Sequence, residues 1–334
     1  MKQQLEQLID PSTNQSLGAT NSIRHFNIDK ENSLVTLIVA IGQTGGNEEK
    51  KLSREIAKIV KLDHGFKGLK LQFETSAPPP STSFKKTRYI AVSSGKGGVG
   101  KSTVTANLAV ALNRLGKKVG LIDADIYGPS LPQIFDVPNT NLQVNSENKI
   151  IPPTAFNIPI ISTEFLLDDD KPLMWRGPML NRMLTHFFQD VAWETDFDFM
   201  IIDLPPGTGD VAMDIQKLIP EAAVIVVTTP HPAAAHIAVK AGYMAKNLGH
   251  EIVGVVENMA YYPNPVNGAK EAIFGSGGGL NVANQLEVEL LASIPIGQPK
   301  TNLSHSIYSS HEEMGLCYLG LANKILKHPF GTSS

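Results

Sequence analysis

Apolar residues recur along this chain in two rhythms, one on each side of a proline-rich break. Before the break, residues 34–41 read LVTLIVAI, an apolar run of strand length. Leu52, Ile56 and Ile59 then recur at helical spacing within residues 48–60, and Leu69, Leu71 and Phe73 alternate as a half-buried strand does. Residues 3–9 predict a short helix, stopped by Asp10-Pro11. The sum is a small α/β domain over residues 1–75. Residues 76–87, SAPPPSTSFKKT, carry three consecutive prolines and no buried-element pattern, which predicts a semi-rigid linker.

Over residues 88–334 short apolar runs alternate with helical patterns. Strands are expected at 89–93, 119–123, 199–203, 223–228, 252–257 and 290–294, several with polar or charged carboxyl ends. Helices are expected at 101–115, 178–191, 210–218, 233–248 and 312–326. Apolar strands separated by helices predict a doubly wound, mainly parallel sheet, an α/β fold.

Composition narrows the function classes. A hydrophobic share of 42% with 18% charged residues is that of a globular protein. With 29 basic and 32 acidic side chains the net charge is -3, which leaves no electrostatic footprint for nucleic acid or an anionic membrane. The apolar runs at 34–41 and 222–227 are too short to span a bilayer, and the opening MKQQLEQLIDP has no signal-like apolar region, so a cytoplasmic protein is expected. Cys317 is the single cysteine, so one chain can form neither a disulfide nor a multi-thiolate metal site.

The densest chemistry lies at 95–102. Gly95, Lys96, Gly97, Gly98, Val99, Gly100, Lys101 and Ser102 fit G-x-x-x-x-G-K-[ST] between an expected strand and an expected helix. Glycines let backbone N–H groups converge on phosphate oxygens, and the helix start adds its positive dipole end. Lys101 can reach the β- and γ-phosphates of a nucleotide, and the Ser102 hydroxyl can ligate Mg²⁺. A Rossmann dinucleotide site is disfavoured by the Lys-Ser pair. Asp123 and Asp125 follow the second strand of this region, and Asp203 ends another. Asp203 suits a Walker-B role toward Mg²⁺, with Asp125 available directly or through water. Asp125 is the first choice to orient or deprotonate the attacking water and Asp123 the second. Gly207-Thr208-Gly209 could move with the γ-phosphate. Lys96 is either a solvated loop charge or a cation for the phosphates of a facing subunit.

The string from Lys96 to Thr103, KGGVGKST, resembles the deviant Walker A of the MinD/ParA/nitrogenase-iron-protein group. DADIYGPS at 123–130, WRGPM at 175–179, DLPPGTGD at 203–210, ENM at 257–259 and IFGSGGG at 273–279 together resemble the Mrp/ApbC family of ATP-dependent iron–sulfur cluster carriers, over about residues 88–325. Asp10-Pro11 and Leu17-Gly18 resemble, more weakly, the small iron–sulfur-assembly-associated domain often fused ahead of that ATPase. The resemblance implies a homodimer that binds and hydrolyses ATP with Mg²⁺ and serves iron–sulfur assembly or client proteins. It implies that Lys96 reaches the partner's phosphates and that Asn258 contacts adenine. The stretch 175–179 is expected near the moving loops, with Arg176 equally suited to an ion pair. Family members carry C-P-x-C shortly after Glu-Asn-Met. Here Asn264 and Asn267 stand in those places, and amides do not supply thiolate ligands. That departure leaves a second reading, a nucleotide-dependent switch or scaffold that carries no cluster. A DNA-partitioning ATPase is disfavoured by the lack of basic excess.

The remaining features have plainer expectations. Cys317, among Leu316, Leu319 and Leu321, is expected as a small core residue. His231 is expected as a loop histidine, Gly275–Gly279 as a flexible turn, and Met174, Met179 and Met183 as packing. Tyr261 and Tyr262 could form a surface patch for a protein partner.

Overall fold

The computed structural model describes residues 1–10, 15–18, 22–29, 32–41, 47–75, 87–126, 128–137, 142–166, 177–193, 196–207, 215, 218–300 and 306–330. The expected linker therefore lies almost wholly outside the described residues, as do Met174, Arg176, Thr208, Gly209 and most of the helix expected at 210–218. The chain divides into two compact units, Met1–Thr82 and Ser83–Ser334.

In the first unit β1 (Ile23–Asp29) pairs antiparallel with β2 (Leu34–Ile41), and β2 pairs parallel with β3 (Gly68–Thr75). A parallel pair needs a crossover, supplied by α1 (Asn47–Ala57) and a π-helical turn, Lys58–Asp63. Val35, Leu37 and Val39 alternate onto the helical side, where they meet Leu52, Ile56 and Val60. The expected opening helix is shorter than its apolar pattern, Lys2–Glu6, because Ile9–Asp10 leaves it to pair with Gln15–Ser16. β1 carried no sequence expectation. It is an edge strand with the mixed sequence IRHFNID, so its periodic apolar signal is thin.

The second unit is built on one eight-stranded sheet. Its elements in chain order are β4 (Arg88–Ser94), α2 (Lys101–Arg114), β5 (Val119–Asp123), β6 (Thr154–Ala155), β7 (Ile158–Ser162), α3 (Gly177–Gln189), β8 (Phe199–Asp203), β9 (Ala223–Thr228), α4 (Pro232–Asn247), β10 (Ile252–Glu257), α5 (Gly278–Leu286), β11 (Leu290–Ser293) and α6 (Glu313–Lys327). The sheet order is β6-β7-β5-β8-β4-β9-β10-β11, parallel except for β6. Successive strand residues face opposite sides. Ile90, Val92 and Ile201 pack with Leu108 of α2 and Leu321 of α6, whereas Tyr89, Ala91 and Ile202 pack with Phe187 of α3 and Ala238 of α4. Both faces are thus covered, which accounts for the near-continuous apolar strands.

Arg88 ties the start of this sheet to the end of the chain. One guanidinium nitrogen donates to the carbonyls of Ile325 (3.1 Å) and His328 (2.5 Å). The group lies 3.9 Å from the Phe330 ring centroid and 5.0 Å from that of Phe199. A cation on helix-terminal carbonyls and an aromatic face are each favourable, so Arg88→Ala should destabilise the domain by about 2–3 kcal/mol. Arg88→Lys should recover less than half, since an ammonium neither stacks flat nor presents a planar fork. Equilibrium urea unfolding checks this; an alanine variant within about 0.5 kcal/mol of the parent would be the behaviour of an ordinary surface site.

Candidate nucleotide-binding site

Parallel strands bring their carboxyl ends to one rim, where open α/β sheets bind ligands. Register aligns Asp123 of β5 with Asp203 of β8 and with Ser162 of β7. Beside them β4 ends at Ser94 and the glycine loop begins.

Gly98 (φ 81°) and Gly100 (φ 78°) take left-handed backbone that side chains rarely adopt, and Gly100 caps the start of α2. Gly95 meets a different demand: a Cβ there would lie 2.4 Å from the backbone carbon of Ile237 in α4. Val99 is the loop's buried side chain, and Lys96, Gly97 and Gly98 are exposed. The loop is held at both ends. Ser94 Oγ donates to the Lys96 carbonyl (3.1 Å), and the Gly207 N–H donates to the Ser94 carbonyl (2.8 Å).

Lys101 is only 6% exposed. Its Nζ lies 2.7 Å from Asp203 Oδ2 and 3.4 Å from Asp125 Oδ2. The wholly buried Asp203 also accepts from Ser102 Oγ (2.5 Å) and Thr105 Oγ1 (2.7 Å). The sequence-predicted Lys101, Ser102, Asp125 and Asp203 therefore form one cluster. Thr105 was missed. It sits one helical turn after Lys101, on the same face of α2, and that spacing was the available signal.

Asp123 is placed differently from Asp125. It is fully buried and accepts from the N–H groups of Asp125, Ser130 and Leu131, all at 3.1 Å, and from Ser162 Oγ at 3.2 Å. Its carboxyl shapes the loop after β5 and caps the short helix Leu131–Phe135. Burial first, then the nearby Asp203 carboxylate, push its pKa up to about 7, against the backbone donors and Lys101. Ser162, the second missed side chain, belongs to a strand the sequence reading left out.

Asn258 is 5% exposed, and its Nδ2 donates to the Val99 carbonyl at 3.0 Å. Lys96 has an exposed side chain and no ion pair among the described residues. Thr103 is half-buried on the first turn of α2, its carbonyl accepting from Asn107 Nδ2 (2.9 Å).

His231 lies in the loop before α4, as expected, and caps that helix, its Nδ1 accepting from the Ala233 N–H (3.2 Å). Two plainer expectations change. Gly275–Gly279 is not simply a turn. Gly277 caps α5, and Gly278 and Gly279 pack where a Cβ would lie 2.3 Å from the Pro230 carbonyl oxygen and 2.5 Å from Glu257 Cβ. Cys317 is half-buried rather than a full core residue, because its turn of α6 also leaves Leu316 exposed. Burial, then Glu313, raise the Cys317 thiol's pKa, against Lys270, so the group favours its neutral form, which ligates metals poorly.

Asn264 and Asn267 lie on a hairpin in which Tyr262–Pro263 pairs with Lys270–Glu271. Asn264 donates to Glu271 Oε1 (2.6 Å) and accepts from the Val266 N–H (2.8 Å); Asn267 accepts from the Ala269 N–H (2.9 Å). Both amides are engaged in turn formation. Tyr262 is exposed on this hairpin, and Tyr261 lies under Lys270, whose Nζ is 4.4 Å from the ring centroid. Among the described residues no group of three or more His, Cys, Asp or Glu side chains is arranged to hold a metal ion, and no helix is long and apolar enough to cross a membrane.

A parallel sheet with a strand, glycine loop, lysine and helix at its rim defines a P-loop NTPase of the MinD/ParA fold. The family model described as ParA, NUBPL iron-transfer P-loop NTPase, matches residues 85–314, and the chain belongs to that family. The iron-sulfur cluster carrier protein of Bacillus subtilis (strain 168) is 40% identical over 333 residues, covering 95% of this chain and 94% of its own length. The iron-sulfur cluster carrier protein of Aquifex aeolicus (strain VF5) is 43% identical over 239 residues, 70% of this chain and 65% of that one. Among solved structures, the nucleotide-binding protein of Archaeoglobus fulgidus in complex with ADP is 32% identical, with a TM-score of 0.57, covering 77% of this chain and 96% of that one. The septum site-determining protein MinD of Pyrococcus horikoshii OT3, complexed with Mg-ADP, shares the fold at 24% identity and a TM-score of 0.51, covering 72% and 96%.

Proposed function

We propose that this chain is a Mg²⁺-dependent, homodimeric ATPase that acts in iron–sulfur cluster assembly or transfer. The observation that carries the reading is the buried cluster of Lys101, Ser102, Asp125 and Asp203 directly beneath a glycine loop. Backbone N–H groups of residues 95–102 would bind the phosphates, and Lys101 would exchange its carboxylate partners for phosphate oxygens. Ser102, with Asp203 and Asp125 directly or through water, would hold Mg²⁺, which supplies charge neutralisation at the β- and γ-phosphates. The donor set fits: a hydroxyl and carboxylates are hard oxygen ligands, and Mg²⁺ takes few of them from protein. Asp125 orients the attacking water, no covalent intermediate forms, and Lys96 reaches the phosphates of the partner subunit. Asn258 turns its NH₂ toward Val99, and its Oδ1 is the acceptor for an adenine amine.

The hairpin favours a second reading for the cargo. Asn264 and Asn267 are engaged in turn hydrogen bonds, and neither offers a thiolate. A chain that uses ATP as a switch and holds no cluster of its own fits this hairpin better than a bridging carrier does. Anaerobic reconstitution with iron and sulfide, run beside a Mg²⁺-dependent phosphate-release assay, separates the two. Phosphate release that EDTA abolishes, with less than about one iron per ten chains after desalting, is the expected result for the switch. A stoichiometric, visibly absorbing cluster would restore the carrier reading and require other ligands. Absence of ATP hydrolysis would remove both.

A further inference from the structure

The amide of Asn258 reaches the glycine loop across 159 residues of sequence. Nδ2 lies 3.0 Å from the Val99 carbonyl oxygen. A carbonyl only accepts, so the amide's NH₂ and not its oxygen must face it. The contact is close on every side. A Cβ at Gly100 would sit 2.2 Å from Asn258 Nδ2, and Met259 Cε comes within 3.6 Å of the same point.

The backbone around Asn258 is itself fixed. Its N–H donates to the Thr228 carbonyl of β9 (2.8 Å). The preceding Glu257, 7% exposed, accepts from the Gly279 N–H at the start of α5 (2.7 Å) and from Ser293 Oγ (3.4 Å). The following Met259 takes left-handed backbone (φ 55°), and Ala260 then donates to the Ile294 carbonyl (2.8 Å). Asn258 is thus a donor presented from two neighbouring strands, not a loop side chain that drifted onto the glycines.

The consequence follows from peptide planarity. In a trans peptide the C=O and N–H point in opposite directions. Holding the Val99 carbonyl on Asn258 therefore points the N–H of Gly100 away from Asn258, open to a phosphate oxygen as acceptor. A glycine at φ 78° has no side chain to prevent that peptide from flipping. We propose that Asn258 is a positioning residue for the phosphate-binding loop, acting through the Val99 carbonyl to preset the Gly100 N–H. The proposal rests on the nucleotide reading above and is separate from any contact to the base.

A ligand without a base isolates the effect. Tripolyphosphate offers the loop the phosphates of ATP and nothing for an amide oxygen to read. Binding of ATP and of tripolyphosphate, each with Mg²⁺, is measured by calorimetry on the full chain, for the parent and for Asn258→Ala and Asn258→Leu. The two variants remove the donor while emptying or filling its space, so one remains measurable if the other melts at assay temperature. Tripolyphosphate should lose about tenfold in affinity, the scale of one buried hydrogen bond, and ATP at least as much. Loss for ATP with tripolyphosphate held within twofold of the parent would assign Asn258 to the base and overturn the positioning role. A parent chain that binds neither ligand would instead remove the nucleotide reading itself.

Discussion

Lys101→Ala is expected to weaken ATP binding by at least about a hundredfold and, in the same protein without nucleotide, to lower the melting temperature. The first effect is the loss of a charge-assisted donor to phosphate, worth about 2–3 kcal/mol. The second has a separate cause. Lys101 Nζ is the cation for two buried carboxylates, 2.7 Å from Asp203 and 3.4 Å from Asp125. Removing one partner of a buried pair leaves charge without compensation and typically costs about 3–5 kcal/mol. Protonation of one carboxyl recovers part of this, so a fall of about 6–12 °C is expected for a domain of this size. Calorimetric titration and nucleotide-free melting are the two measurements. ATP affinity within threefold of the parent would exclude Lys101 from the phosphate site, and an unchanged melting curve would show that the carboxylates need no cation.

Asp125→Asn is expected to leave ATP affinity within about threefold while slowing hydrolysis by about 10²–10³, the range of a positioned general base or water-orienting group. Asp125 rather than Asp123 is the residue to test, because the two differ in what they touch. Asp123 is saturated by three N–H groups and the Ser162 hydroxyl, whereas Asp125 faces Lys101. Substitution at Asp123 would loosen the loop after β5, and its kinetic effect would be indistinguishable from unfolding of that loop. Single-turnover phosphate release under saturating ATP separates binding from chemistry. Parent-like turnover in Asp125→Asn would place the water-orienting group elsewhere.

The family relationship is firm for the nucleotide-binding architecture, and its limit falls at one hairpin. One relative named iron-sulfur cluster carrier protein matches 95% of this chain. That name describes a cargo, and this chain carries turn-forming amides at Asn264 and Asn267. Cys317, the single thiol, lies on the last helix in a setting that favours its protonated form. ATP chemistry and cargo chemistry are therefore separable questions here, and the reconstitution experiment addresses the second without disturbing the first.

Much of the fold was legible because the signals are local. The strands at 119–123, 199–203, 223–228 and 252–257 stand where their apolar runs do, since burial on both faces makes such runs continuous. β7 escaped notice because Pro159 interrupts it. The strand tolerates proline there, where Pro159 pairs only with the two-residue edge strand β6. The capping roles of His231 and Gly277 have no local signal for a related reason: a cap is defined by the helix it starts, and residue type alone permits either role.

The amino-acid sequence by itself determined where the glycine loop lies, because its motif is complete within eight consecutive residues between a strand and a helix. It also determined the alternation of strand and helix, through the periods at which apolar side chains recur. Only the tertiary structure decided which acids serve Lys101. That depends on sheet order, with β5, β8 and β4 side by side, and sheet order is a non-local property that no apolar period encodes. The same holds for Asn258. Its donor meets the Val99 carbonyl because two strands far apart in sequence end at the same rim, and the hydrogen bond exists only once both are in place.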